Sequence, residues 1–170
     1  MARIDYVDPA QASERVNELL EKLQNKNIFR MLGHADRHFE TYVRMGNAIR
    51  FKGVLDAKLR EIAITRTGIL CESEYEVVAH KRIARSVGVS DEKVDALEQG
   101  ADSDVFEEIE KAVLRFTDDM VRNNRPTDAT FQPLAEKLGP AELVELNLAI
   151  GFYIMTSKFL RSFDVDLQTD

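Results

Sequence analysis

The stretch from Leu143 to Met155 constrains this chain more than any other. Leu143, Val144, Leu146, Leu148, Ala149, Ile150, Phe152, Tyr153, Ile154 and Met155 are apolar, and no polar face opens until Ser157-Lys158. Pro140 stands where a helix would begin, so the segment from Glu142 to about Phe163 reads as one long helix. A helix that is apolar nearly all round must be covered on every side. In a chain of 170 residues its own core covers only part, so burial against further copies of the chain is expected. The uninterrupted apolar run stays short of the ~18 residues of a membrane span, so no membrane partner is expected.

The rest of the chain carries helical punctuation from end to end. Asp8-Pro9 reads as an N-cap with proline in the first turn, opening a stretch in which Val16, Leu19, Leu20 and Leu23 form one stripe. A short segment from Ile28 to Met31 follows, then a helix from about Ala35 to Phe51 that Gly53 stops. Asp56 caps the next, which runs to about Cys71. After Glu61 it is apolar on most sides (Ile62, Ala63, Ile64, Ile69, Leu70), the mark of a central helix. Ser73 and Ser90 begin two more, closed by Gly88 and Gly100. Asp104 with Glu107 has the spacing of a capping box, ahead of Ile109, Val113, Phe116 and Met120 at helical intervals. Arg125-Pro126-Thr127-Asp128 forms a loop and cap before a helix through Leu134 to Leu138. No stretch alternates long enough to be a strand. The expectation is an all-α helical bundle, one domain over 1–170 without linker or repeat.

Composition narrows the function classes. Thirty acidic residues face 23 basic ones, a net charge of −7 with a pI near 5.1, and there is no Lys/Arg cluster. That profile disfavours nucleic acid and anionic membranes as partners. The single cysteine, Cys71, excludes an internal disulfide, a Cys-x-x-Cys redox pair and a Cys-rich zinc site. The first residues lack the apolar core of a signal peptide, so the cytoplasm is the expected compartment. His34 and His38 have metal-ligand spacing but lack a third ligand at helical spacing, so no metal is expected.

Chemistry concentrates between Glu61 and His80. Glu76 and His80 are four residues apart on one helix face and can touch. A carboxylate beside an imidazole is a workable proton-transfer pair, because the carboxylate orients the ring and the ring exchanges protons near neutral pH. Glu61, on the central helix among isoleucines, needs a partner if it is buried. Structural explanations compete for each residue. Ser73-x-x-Glu76 is also a capping box, His80 precedes Lys81-Arg82 and could be a surface histidine, and Glu61 follows Arg60 and could face water. Cys71 fits a buried small hydrophobe at a helix C-terminus, where the dipole opposes a thiolate.

The run Leu59-Arg60-Glu61-Ile62-Ala63-Ile64-Thr65-Arg66-Thr67-Gly68, then Leu70-Cys71-Glu72-Ser73-Glu74-Tyr75-Glu76, His80, and Ile83-Ala84 before Gly88 resembles the carboxymuconolactone decarboxylase family, which shares its fold with the alkylhydroperoxidase AhpD. Phe29 to His38 is similar to the family's opening helix, Ala129 to Leu134 to its post-loop helix. The stretch from Glu145 to Val165 is similar to a closing helix bearing Gly-x-Tyr, here Gly151-Phe152-Tyr153. The resemblance implies an all-helical subunit that assembles into homotrimers or homohexamers. It also implies two cysteines at the positions of Ser73 and Glu76, served by a glutamate at Glu61 and a histidine at His80. Both thiols are absent, which closes peroxide reduction through a dithiol. The decarboxylase branch reads Glu-Tyr-Glu-Trp before its histidine. This chain keeps Glu74-Tyr75-Glu76 but has Val77 in place of the indole, which reshapes a pocket wall. Ile154 stands after Tyr153 where many relatives carry a polar residue.

The expectation for function is therefore a cofactor-free acid/base enzyme acting on a small carboxylated or lactone-type substrate. The reaction would be decarboxylation or a related proton transfer, in aromatic-compound degradation. His80 would be the acid/base, Glu76 or Glu61 would orient it, and Tyr75, Ser73 and Tyr153 would line the substrate site. Arg66 would anchor a carboxylate, or else form a structural ion pair with a glutamate on a neighbouring helix. The alternative is a non-catalytic oligomeric binding or scaffold member of the family.

Overall fold

The computed structural model describes residues 1–168, and no strand occurs among them. The helices are α1 (Glu14–Lys22), α2 (Asn27–Leu32), α3 (Asp36–Phe51), α4 (Ala57–Leu70), α5 (Glu74–Ser86), α6 (Asp91–Ala96), α7 (Glu108–Asn123), α8 (Asp128–Ala135) and α9 (Pro140–Ser162). The all-α expectation holds. Its boundaries move where a second capping group competes. Asp8-Pro9 opens only a 3₁₀ turn, and α1 starts at Ser13, whose Oγ accepts from the Val16 N–H at 3.3 Å. The capping box before α7 is Glu107 with Glu110, not Asp104 with Glu107. Glu110 is the better partner because it takes the Glu107 N–H at 2.8 Å while its other oxygen holds Lys93 at 2.8 Å. The eighth helix begins at Thr127 and stops at Ala135, short of Leu138.

α4 is the axis of the bundle, packed against α5, α7 and α9. Every residue from Arg60 to Gly68 is buried, so this helix has no face left for water. Its apolar members join the main core with Val94, Leu97, Val113, Leu114, Leu134, Leu146 and Ile150. A second cluster under α1 to α3 is built on Leu20, Phe39 and Leu160. Gly68 lets α5 approach. A Cβ there would lie 3.2 Å from Glu76 Cβ and 3.4 Å from the Val77 backbone nitrogen, so the start of α5 sits hard against the end of α4. Glu72 turns the chain between the two helices in the left-handed region (φ 53°). Arg161 of α9 clamps this turn through the Cys71 carbonyl at 3.1 Å and the Glu72 carboxylate at 3.0 Å.

α9 has 23 residues and holds an 18-residue window of mean hydropathy 1.3, long and apolar enough to cross a bilayer by length and composition, contrary to the sequence expectation. It serves here as a core helix, packed against α3, α4, α5, α7 and α8. Its cover is incomplete within one chain. Val144, Leu148 and Met155 are exposed, and together with Gly151 they follow helical spacing along one outward stripe.

Arg66 is not a substrate anchor. It is buried, and its guanidinium donates to both oxygens of Asp118 on α7 (2.7 and 2.8 Å) and to the carbonyls of Leu97 and Glu98 (2.8 and 2.9 Å). The structural ion pair raised above is what forms, with an aspartate as partner. Gly100 (φ 68°) makes room, since a Cβ there would stand 2.8 Å from Arg66 Nη2. Removing Arg66 leaves two carbonyls without their donor and the part-buried Asp118 with only Arg122, at 3.6 Å, as a cationic partner. Arg66→Met is therefore expected to lower the unfolding free energy by about 3 kcal/mol in urea titrations. A loss below about 1 kcal/mol would show the clamp to be dispensable.

Candidate active site

Three side chains from two helices converge where α4, α5 and α9 meet. His80 lies one turn after Glu76 on α5, and its Nδ1 is 2.7 Å from Glu61 Oε2 on α4. Its Nε2 is 3.4 Å from Glu76 Oε2. All three are nearly sealed: Glu61 is 0% exposed and Glu76 and His80 are each 4% exposed. The His80 ring meets the Tyr153 ring edge-on, with centroids 4.7 Å apart. The imidazole is thus fixed by a carboxylate on one nitrogen and an aromatic wall beside it, an arrangement that sets ring orientation and tautomer together. With Glu61 accepting from Nδ1–H, Nε2 is left as the proton acceptor on the side of Glu76.

The competing explanations for these residues do not hold. Ser73 is the N-cap of α5 by position, but its side chain makes no capping bond, and Oγ is buried without a partner among the described residues. Glu76 turns to His80 instead of back to the Ser73 N–H, which donates to the Gly68 carbonyl at 2.9 Å. Burial pushes the Glu76 carboxyl up from its ordinary value, and the nearby charges of His80 and Arg50 offset this only in part. Glu76 thereby keeps its proton to higher pH than an exposed glutamate.

Beside this cluster lies a cavity of about 760 Å³. Glu76 and His80 form its reactive wall, and Tyr42, Tyr75, Phe152 and Tyr153 supply aromatic surface. Glu61 stands behind His80, outside the lining. Arg66 and Ser73 are outside it too, so two of the expected substrate contacts are absent from the pocket. Burial raises the Tyr75 hydroxyl to about 12 and the Tyr153 hydroxyl well above its usual range, so both remain protonated donors. Thr156 donates its only hydroxyl proton to the Phe152 carbonyl at 2.9 Å, so in the 2.6 Å contact the Tyr42 hydroxyl donates to Thr156. That ties α3 to α9 across the pocket floor. His34 and His38 take no part. His34 Nε2 bonds the Asp5 carbonyl at 2.8 Å.

Sequence reasoning missed Arg50. It lines the cavity and lies over the Phe51 ring at 4.7 Å. Among the described residues it forms no ion pair, and its charge is felt at both Glu76 and Tyr153. Arg82, Lys22 and Lys26 also border the cavity, against Glu76 as its one acidic residue among the described residues. A protein of net charge −7 has therefore gathered cations around a single opening. The signal was available in α3, where Tyr42, Gly46 and Arg50 recur at intervals of four on the face that lines the pocket.

This is a ligand-sized cavity in an all-helical bundle, with a histidine and two glutamates buried at one wall. Residues 36–119, from α3 into α7, match the model of the Carboxymuconolactone decarboxylase family. Those 84 of the 170 residues carry the family's pattern, and the chain as a whole has the AhpD-like fold. It is similar to the structure of an uncharacterized peroxidase-related protein with an alkylhydroperoxidase AhpD core from Ralstonia eutropha JMP134. The TM-score is 0.86 at 18% identity, over 98% of this chain and 92% of that one. A peroxidase-related protein from Silicibacter sp. TM1040 gives 0.86 at 15% identity, over 99% and 92%. The debrominase Bmp8, as a cysteine-to-alanine variant in complex with 2,3,4-tribromopyrrole, gives 0.82 at 16% identity, over 99% and 95%. No curated protein matches the sequence.

A buried carboxyl that resists ionisation makes a testable demand on stability. Below the ordinary carboxylate value of 4.5, Glu76 is protonated both folded and unfolded and costs nothing. As pH rises through the raised value, the unfolded chain ionises more readily than the folded one, and that stability is lost. Glu76→Gln is therefore expected to gain on the wild type as pH rises from 4 to 8, in urea midpoints measured across that range. An advantage that shrinks with pH would mean Glu76 is held as an ion.

Proposed function

We propose that the protein is a cofactor-free acid/base enzyme that decarboxylates, or moves a proton on, a small carboxylated or lactone-type substrate. The observation that carries this reading is the meeting of Glu76 and His80 at the wall of a cavity whose other charged residues, among the described ones, are cationic. A protein has no structural use for two carboxyls and an imidazole sealed in one place, because burying them costs several kcal/mol. An anionic substrate drawn to an acidic protein needs local positive charge, and Arg50 supplies it where Arg66 does not.

In a decarboxylation the substrate's carboxylate leaves as CO₂, and the pair from the broken C–C bond moves onto a conjugated carbonyl. The Tyr153 hydroxyl would stabilise the resulting enolate oxygen. Glu76 or His80, whichever carries the proton, delivers it to the carbon, and the proton consumed is regained from water. Glu61 orients the ring from behind. Dithiol peroxide reduction lacks its chemistry. Cys71 is the single thiol, burial pushes it up from its ordinary value, and it does not line the cavity. The tryptophan position is filled by Val77, so the substrate is expected to differ from that of the decarboxylase branch.

Assembly belongs to the same proposal. The outward stripe Val144, Leu148 and Met155, with Phe51 and Val54 also exposed, supports a homotrimer or homohexamer in which α9 is covered by other copies. A scaffold role would share that assembly but leaves the buried Glu61–His80–Glu76 set without a purpose.

Against a panel of lactones and conjugated carboxylic acids, His80→Ala should cut turnover by about 10²–10⁴ while the oligomer stays folded. Arg50→Ala should mainly raise KM, and Cys71→Ser should leave turnover unchanged. Turnover surviving in His80→Ala would refute the acid/base reading. Light scattering should report a trimer or hexamer at micromolar concentration, and a monomer would refute the assembly.

A further inference from the structure

Arg60 is a charged residue of the α4 motif whose burial nothing above explains. It sits on the central helix, 9% exposed, beside the buried carboxylate of Glu61. Its Nε is buried and makes no hydrogen bond among the described residues, and neither does Glu61 Oε1. These two unpartnered atoms face each other at 3.5 Å. The other oxygen of the same carboxylate holds His80 Nδ1 at 2.7 Å. The charged neighbours of Glu61 are therefore Arg60 on one oxygen and His80 on the other.

We propose that Arg60 is a positioning residue for His80, acting through Glu61. The proposal rests on the acid/base reading of His80 and adds a third member behind it. A buried carboxylate with a cation on one oxygen cannot swing that oxygen round to the imidazole, so Oε2 stays committed to Nδ1–H. Were Glu61 to rotate, the Nδ1–H bond would loosen. The imidazole would then populate the tautomer with its proton on Nε2, which faces Glu76 and cannot accept a proton there. Arg60 reaches neither the cavity lining nor Glu76, so its influence on the site passes through this one carboxylate. A purely structural ion pair would stabilise α4 without affecting the state of the ring on α5.

Histidine ¹⁵N and ¹H NMR on the ¹⁵N-labelled full chain separates the two, with no substrate required. There are three histidines, and His80→Gln assigns the resonances of the third. In the wild type, His80 should show a protonated Nδ1, a bare Nε2 and a downfield, exchange-protected Nδ1–H proton. In Arg60→Met and Arg60→Gln that proton should move upfield and the Nε2–H tautomer should gain population. Arg60→Lys, which keeps a charge but loses the planar fork, should fall between. Melting curves and circular dichroism establish that each variant is folded. A folded neutral variant with an unchanged His80 signature overturns the proposal. If neither neutral variant folds, Arg60→Lys decides: a shifted His80 proton supports Arg60 as the positioning group and an unshifted one overturns it. If the wild type itself lacks the Nδ1–H tautomer, the acid/base geometry around His80 fails along with it. A wild type with that tautomer and unresponsive Arg60 variants would remove Arg60 alone.

Discussion

The hydrogen bond between Glu61 on α4 and His80 on α5 is the contact around which the rest of the site is arranged. It joins two ionisable groups in a place that water does not reach, so neither can be lost without stranding the other. Its geometry depends on close packing of α4 and α5, which Gly68 permits and which the Arg161 clamp on the intervening turn secures. Given that bond, the ring presents Nε2 to Glu76, and the edge of Tyr153 from α9 closes the remaining side. Three helices are thus committed to the orientation of one imidazole.

Much of this was legible in the residues. The all-helical architecture followed from caps, glycine stops and unbroken apolar stripes. The central place of α4 followed from the lack of a polar face after Glu61, and Glu76 and His80 were placed together by their spacing. The misplacements have physical causes. At Asp8 and Asp104 the local pattern was sound, but a stronger capping group lay a few residues on, at Ser13 and in the Glu107–Glu110 pair. At Ser73-x-x-Glu76 the capping box lost to a partner from the same helix, since His80 Nε2 lies 3.4 Å from the Glu76 carboxyl while the Ser73 N–H is already taken by Gly68. Such competitions are decided by tertiary contacts that spacing does not encode.

The two arginines make the same point from opposite sides. Arg66 lies within the recognisable motif and was assigned to substrate, yet it faces α7, where Asp118 and two carbonyls consume its donors. Arg50 lies outside that motif, on the helix before it, and the packing of α3 across α9 places its charge at the cavity. Which cation serves the ligand is a property of the bundle. Arg50, Arg82, Lys22 and Lys26 stand around one cavity on an acidic protein. Opposite charge at a concave, low-dielectric mouth raises the local concentration of an anion, and added salt weakens the effect.

A crystal structure with a non-reacting lactone carboxylate soaked into the protein tests the account most directly. The ligand should lie in the cavity with its carboxylate on Arg50 and the carbon alpha to its carbonyl facing His80 Nε2 and the Glu76 carboxyl, while Nδ1 stays bonded to Glu61. A ligand seated elsewhere, or a His80 ring that leaves Glu61 when the cavity fills, would contradict it.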